Sequence, residues 1–294
     1  TSPLLAEGCD HDLTVIIPAY NERRRLPQAL TALRSWLDAS HLDYRVLVVD
    51  DGSTDGTALI SSAFSSRFRT LCLPEHRGKG AAVRAGMRAA TGRVVAFTDA
   101  DMPYSLDALR VSVEWIESGC CDVVFGARDI AGATTQLARR RARALASRLF
   151  RCLTKQLISR DVTDTQCGFK VFSSRAARII FGQAIVDGFA FDAEVVWLCR
   201  RLGIAWRRVP VALVNEHSST LSISRDAWRM IWDLARISIM HIALPGNKKQ
   251  QRRLVSAAAP ASAGPVGLGC RRGGLARAER EALAGDLLPG GVNL

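Results

Sequence analysis

Along the first hundred residues, uninterrupted apolar runs of strand length alternate with stretches of helical patterning. The runs Leu13 to Ile17, Tyr44 to Val49, Thr70 to Leu73 and Val94 to Thr98 are short and bounded by turn-forming residues, which predicts four strands. Strands that are apolar on both faces and separated by helices predict an α/β fold, a mostly parallel sheet with right-handed crossovers and flanking helices. Ligands of such a sheet gather beyond the carboxyl ends of its strands. The polar residues fall there: Pro18 to Glu22 (PAYNE) after the first strand, Asp50 to Thr57 (DDGSTDGT) after the second, and Asp99 to Asp101 (DAD) after the fourth.

The second half is less regular. Its pattern predicts a strand near Asp122 to Ala127, a long Arg/Ala/Leu helix near Thr134 to Ile158, a turn carrying DTQCGFK (Asp164 to Lys170), and helices near 173 and 192, with no internal repeat. Residues 226–244 are amphipathic, with Asp226, Arg229, Asp233 and Arg236 on one stripe and Trp228, Ile231, Trp232, Ile239 and Ile242 elsewhere, before Pro245 and Gly246 end the pattern. The expected division is a domain over 1–225, an amphipathic helix over 226–244 that either lies at a membrane interface or packs on the domain's own core, and a basic Ala/Gly/Pro-rich disordered tail over 245–294.

Composition narrows the function classes. With 294 residues, 48% hydrophobic and 23% charged, the chain is not disordered throughout. No window reaches the roughly 18 to 20 uncharged apolar residues of a membrane-spanning helix, and no basic-then-apolar signal opens the chain. The expectation is a soluble or peripheral protein on the cytoplasmic side. Eight cysteines form no CxxC pair and no zinc-ligand rhythm with the five histidines, so reduced thiols are expected. A net charge of +12 favours anionic partners: nucleotides, phosphates, acidic lipid surfaces or nucleic acid. Nucleic acid is disfavoured, because no aromatic-and-basic stacking motif is present and the acidic clusters occupy the sheet's ligand edge.

The DAD triplet carries the most chemistry. Alternate carboxylates at a strand end can hold a hard divalent cation that also takes diphosphate oxygens, although a lone triplet is equally a solvated turn. Asp50 and Asp51 add acceptors at a neighbouring strand end. Arg77-Gly78-Lys79-Gly80 opens what reads as the third helix, where backbone amides and a cation can approach a phosphate. The chain has neither GxGxxG after the first strand nor GxxxxGK[ST], so neither a dinucleotide cofactor nor a P-loop is indicated.

The segments TVIIPAYNE, VLVVDDGSTDGT, RGKGAAVRAGMRAATG and VVAFTDADMP, in this order from about Leu13, resemble the inverting family-2 glycosyltransferases of the GT-A fold. The resemblance implies that Pro18, Ala19, Tyr20, Glu22, Asp50 and Asp51 hold the nucleotide base and ribose of a donor sugar. It also implies that Lys79 sits by the nucleotide and that Asp99 and Asp101 bind Mg2+ or Mn2+ and the diphosphate. VFGARD, the basic helix with RALAS, DTQCGFKVF and FAFDAEVVW are similar to the polyprenyl-phosphate sugar synthases, nearest to the dolichyl-phosphate β-glucosyltransferases. That subgroup implies Arg128, Arg143 and Ser147 as receivers of the lipid phosphate, the last two one helical turn apart, with Arg139, Arg140 and Arg141 as rivals. Pro103 stands where mannosyl relatives often carry Gln, which weakens a mannosyl assignment.

The implied partners are a nucleotide sugar, UDP-glucose before GDP-mannose, a polyprenyl phosphate, and a membrane surface at its cytoplasmic face. A phosphate monoester is largely dianionic at pH 7, so attack at the anomeric carbon requires no general base. Accordingly His76 and His217 are expected to be solvated, and Asp192 and Glu194 either orient the acceptor loop or, with a hydroxyl acceptor, act as base. The alternatives are a family-2 transferase with a soluble phosphorylated or glycan acceptor and, more distantly, a non-enzymatic nucleic-acid binder.

Overall fold

The computed structural model describes residues 10–102, 104, 106–128, 167–212 and 237. Among them run the strands β1 (His11–Ala19), β2 (Tyr44–Asp50), β3 (Phe68–Cys72), β4 (Gly92–Thr98), β5 (Val123–Ala127), β6 (Phe169–Ser173) and β7 (Trp206–Pro210). The α-helices are α1 (Leu26–Ala39), α2 (Lys79–Ala89), α3 (Asp107–Glu117), α4 (Ser174–Gln183) and α5 (Phe191–Leu202). The strands form one sheet in the order β3-β2-β1-β4-β6-β5-β7.

Apolar residues alternate between two cores, one on each face of the sheet. Leu13, Val15 and Ile17 of β1 join Leu26, Leu30, Leu33 and Leu37 of α1 and Leu109 and Val113 of α3. Ile16 faces the other way, with Val83 and Met87 of α2, Ile180 and Phe181 of α4, and Val195 and Leu198 of α5. Burial on both faces is the physical reason the central strands are continuously apolar.

The mostly parallel α/β sheet is as expected; within it β6 alone runs antiparallel, to both β4 and β5 among the described residues. Two details differ. β6 and the edge strand β7 are strands beyond those expected; the DTQCGFK segment ends inside β6 rather than forming a turn alone. Two 3-10 turns, Thr57–Leu59 and Ser61–Ala63, connect β2 to β3, so Lys79 opens the second α-helix and not the third. The expected helix near Thr134 to Ile158, with Arg143 and Ser147, lies outside the described residues, as do the 226–244 stretch apart from Ile237 and the tail. Ile237 is helical and fully buried in the core on the α2 side. No helix among the described residues is long and apolar enough to cross a membrane.

Register brings the functional loops to one edge. Ala19 pairs with Asp50, so β1 and β2 end together. Thr98 pairs with Phe169 in the antiparallel sense, so the residues entering β6 meet those leaving β4. β5 runs toward the same edge and delivers Arg128 there.

Candidate active site

The loops after β1 and β2 are stitched into one surface. Asn21, in a left-handed conformation (φ 54°), donates its N–H to Ser53 Oγ (2.9 Å) and accepts the Thr54 N–H at Oδ1 (3.0 Å). The Glu22 N–H reaches Thr57 Oγ1 (2.9 Å), and the Glu22 carboxylate accepts two bonds from Arg25 (2.7 and 2.5 Å). Burial pushes the Glu22 carboxyl upward in pKa, against the pull of Arg25. Pro18 and Ala19 close β1, and Tyr20, 43% exposed, projects from the edge.

Asp50 and Asp51 are both buried but differently engaged. Asp51 accepts the backbone N–H groups of Arg77 (3.0 Å) and Gly78 (2.7 Å) and lies 2.8 Å from His76 Nδ1, so it shapes the RGKG loop. Asp50 Oδ2 accepts the Ser53 N–H (3.2 Å), whereas the buried Oδ1 has no hydrogen-bond partner among the described residues. A buried carboxylate oxygen without a donor is costly. Asp50 Oδ1 therefore marks a place where a ligand N–H or O–H fits. His76 is half exposed, yet it stacks on Tyr20 with ring centroids 3.8 Å apart, so the expected solvated histidine is part of the edge. His217 lies outside the described residues.

At the end of β4 the DAD segment turns sharply: Met102 has φ 43° and its N–H bonds to Asp99 O (3.0 Å). Lys79 Nζ lies 2.5 Å from Asp99 Oδ1. Burial opposes the lysine's charge, but Asp99 and then Asp192 outweigh it and hold the Lys79 ammonium above the ordinary lysine range. Asp101 acts electrostatically on both Lys79 and Glu22, which places it in the same acidic patch. Gly168 backs directly onto this patch. A Cβ built there would stand 1.8 Å from Asp99 Oδ2, so the approach requires glycine.

Arg128, partly buried, acts on the Tyr104 hydroxyl, which accepts the Gly168 N–H (3.3 Å). Burial foremost, and Cys167 next, drive Tyr104 well above the ordinary tyrosine range while Arg128 opposes them. One edge thus collects Tyr20, Glu22, Asp50, Asp51, Lys79, Asp99, Asp101 and Arg128. Arg143 and Ser147 lie outside the described residues.

Sequence reasoning missed a buried ion pair beneath this edge. Lys170, 1% exposed, donates to Asp192 Oδ1 (2.5 Å) and to Cys167 O (2.7 Å). Its ammonium and that of Lys79 both lie over the Phe97 ring, at 5.3 and 5.8 Å. Burial raises the Asp192 carboxyl in pKa, while Lys170 and Lys79 pull it down. The available signal was a lysine inside the apolar run FKVF, since a charge in a strand core demands a buried partner. Glu194, also fully buried, accepts the N–H groups of Ile185 and Val186 (both 3.0 Å).

The donor set at the edge fits a hard divalent ion. Asp99 and Asp101 offer carboxylate oxygens, and Asp99 already holds a cation in the Lys79 ammonium. Among the described residues no group of three or more His, Cys, Asp or Glu forms a cage. Two carboxylates suit a hard divalent ion, which takes one or two of them and completes its shell with phosphate and water oxygens.

The model of "Glycosyl transferase family 2" matches residues 14–181. The dolichyl-phosphate beta-glucosyltransferase of Drosophila melanogaster is 33% identical over 257 residues, covering 79% of this chain and 78% of that protein. The human protein of the same name is 28% identical over 273 residues, covering 86% and 83%. Among solved structures, glucosyl-3-phosphoglycerate synthase from Mycobacterium tuberculosis, in complex with Mn2+, UDP and glucosyl-3-phosphoglycerate, superposes with a TM-score of 0.59 at 19% identity, covering 78% of this chain and 80% of that one. Mannosyl-3-phosphoglycerate synthase from Rubrobacter xylanophilus gives a TM-score of 0.58 at 17% identity, covering 87% and 78%.

Proposed function

This chain belongs to glycosyl transferase family 2, and from that premise we propose that it transfers glucose from UDP-glucose to dolichyl phosphate or a related polyprenyl phosphate, giving a β-linked lipid-phosphate sugar. Its fold is GT-A, the fold of its structural neighbours. The geometric observation that carries the reading is the convergence of Asp50 Oδ1, which has no hydrogen-bond partner among the described residues, the Lys79–Asp99 pair and Arg128 on one sheet edge.

Tyr20 and Asp50 would meet the nucleoside, with Asp50 Oδ1 accepting an N–H of the base. Asp99 and Asp101 would hold Mg2+ or Mn2+, which neutralises charge on a departing diphosphate. Lys79 stands beside Asp99 to add its own positive charge there. Arg128, with Arg143 and Ser147 of the basic stretch, would align the acceptor phosphate for backside attack, so that an oxygen of the phosphate bonds to the anomeric carbon as the bond to UDP breaks and the centre inverts. The acceptor is already anionic and needs no base. The burial of Asp192 against Lys170 supports that assignment. An isoprenoid acceptor also requires work at a membrane surface, for which the amphipathic 226–244 pattern and Lys248, Lys249, Arg252 and Arg253 are suited.

A donor screen tests the reading. With polyprenyl phosphate as acceptor, UDP-glucose is expected to be consumed well ahead of GDP-mannose and UDP-N-acetylglucosamine, with the product extracting into butanol. A product found only in water overturns the lipid acceptor, and preferential use of GDP-mannose overturns the donor. Arg128→Ala should raise the KM for lipid phosphate by about 30-fold or more, because truncating one partner of a desolvated charge pair costs about 2 to 5 kcal/mol. UDP affinity by calorimetry should change little; a large loss would place Arg128 at the diphosphate instead.

A further inference from the structure

The segment between α4 and α5, Ile185 to Phe189, belongs to the second half of the chain but is fastened across the first turn of α2, the helix that presents Lys79. Three independent sets of contacts hold it there. The buried Glu194 carboxylate takes both the Ile185 and Val186 N–H groups (3.0 Å each), fixing the strap to α5. The strap's carbonyls then face α2: Asp187 O accepts the Ala81 N–H (3.2 Å), and Val186 O accepts from Arg84 (3.2 Å). A Cβ added to Gly80 would stand 2.4 Å from Val186 O, and one added to Gly78 would stand 2.6 Å from Asp187 O, so both glycines are needed for this approach. Finally, the Asp187 carboxylate bridges two guanidiniums, Arg77 at 2.9 Å and Arg84, one on either side of Lys79 in the chain.

From this geometry we infer that Asp187 is a positioning residue for the donor site, acting through Arg77 and Arg84 to fix the RGKG loop and hence the place of Lys79 against Asp99. The inference rests on the donor reading given above. Asp187 lies on neither of the loops that follow β1 and β2, and among the described residues its carboxylate is joined to the site through those two arginines. Burial alone would push the Asp187 carboxyl upward, but the Arg84 and Arg77 guanidiniums hold it below the ordinary carboxylate range, as expected of a charge the fold keeps ionised. The loop it braces is also the one that Asp51 shapes through the Arg77 and Gly78 N–H groups, so two carboxylates from different halves of the chain hold one phosphate-facing turn.

Calorimetric titration of the full chain with UDP in the presence of Mn2+ tests this. Misplacing a catalytic group by about 1 Å can cost about a hundredfold, and a loosened loop should cost part of that. Asp187→Ala is expected to weaken UDP binding about tenfold and to raise the KM for UDP-glucose similarly, with the KM for lipid phosphate unchanged. Asp187→Glu should recover part of the loss. Arg84→Ala, which leaves the Arg77 bridge in place, should reproduce part of it, and the double variant Asp187→Ala/Arg84→Ala should lose clearly less than the sum of the two single losses, because Arg84 acts through Asp187. Parental UDP affinity in Asp187→Ala, or full additivity in the double variant, overturns the inference. Should the Ala variant fail to fold, Asp187→Asn, which keeps the side chain's shape and removes its charge, is judged by the same titration. A parent protein that binds no UDP overturns the donor reading, and the inference falls with it.

Discussion

Exchanging Asp101 for Asn is expected to leave less than about a hundredth of the parental turnover, and chelation by EDTA to silence the parent. Asp101 is half of the carboxylate pair at the end of β4, and its charge already acts on Lys79 and Glu22 across the edge. Replacing it with a neutral amide removes one of the two hard anionic oxygens offered to a divalent ion while keeping the side chain's size. The loss of a charge that meets a bound cation costs several kcal/mol, and each 1.36 kcal/mol in the barrier is about tenfold in rate. Initial-rate assays with UDP-glucose at saturating Mn2+ measure it, and a thermal melt establishes that the variant is folded. Full turnover of the parent in EDTA would defeat the metal assignment, and a fully active Asp101→Asn would remove Asp101 from it.

What was legible in the chain is what lies contiguous in it. The inner stretches of β1, β2 and β4 (Val15 to Ile17, Val46 to Val49 and Val94 to Phe97) are apolar on both faces, and the strand ends are marked by PAYNE, DDGS and DAD; those motifs carried the family, which holds over residues 14–181. β6 was hidden because its five residues, FKVFS, contain a lysine and follow turn residues, and β7 because WRRVP is a polar edge strand ending in proline. The site was legible to the same degree. Asp99 and Lys79 stand in recognisable motifs, but nothing local says that Gly168 presses on the Asp99 carboxylate, or that Asp187 reaches back to Arg77. His76 was unreadable for the same reason: a single histidine shows no partner until the fold brings Tyr20 and Asp51 to it.

The largest effect on stability is expected beneath the site, at Lys170. Its side chain is 1% exposed and its ammonium has two partners, Asp192 Oδ1 and Cys167 O. Lys170→Met keeps an unbranched apolar side chain of similar volume but leaves the Asp192 carboxylate buried without the countercharge it is hydrogen-bonded to. Breaking a buried pair by removing one partner costs about 3 to 5 kcal/mol, because the remaining charge is uncompensated. Replacing both partners by apolar groups of similar volume removes that penalty, so the double variant Lys170→Met/Asp192→Leu should recover most of the lost stability. The shift in the urea unfolding midpoint measures both. Recovered folding without recovered turnover in the double variant would show that the pair serves the reaction as well as the fold; Asp192 is one of the charges that favour the Lys79 ammonium. A single variant as stable as the parent would mean that the pair contributes nothing as a buried ion pair, and that the lysine in FKVF is held for packing alone.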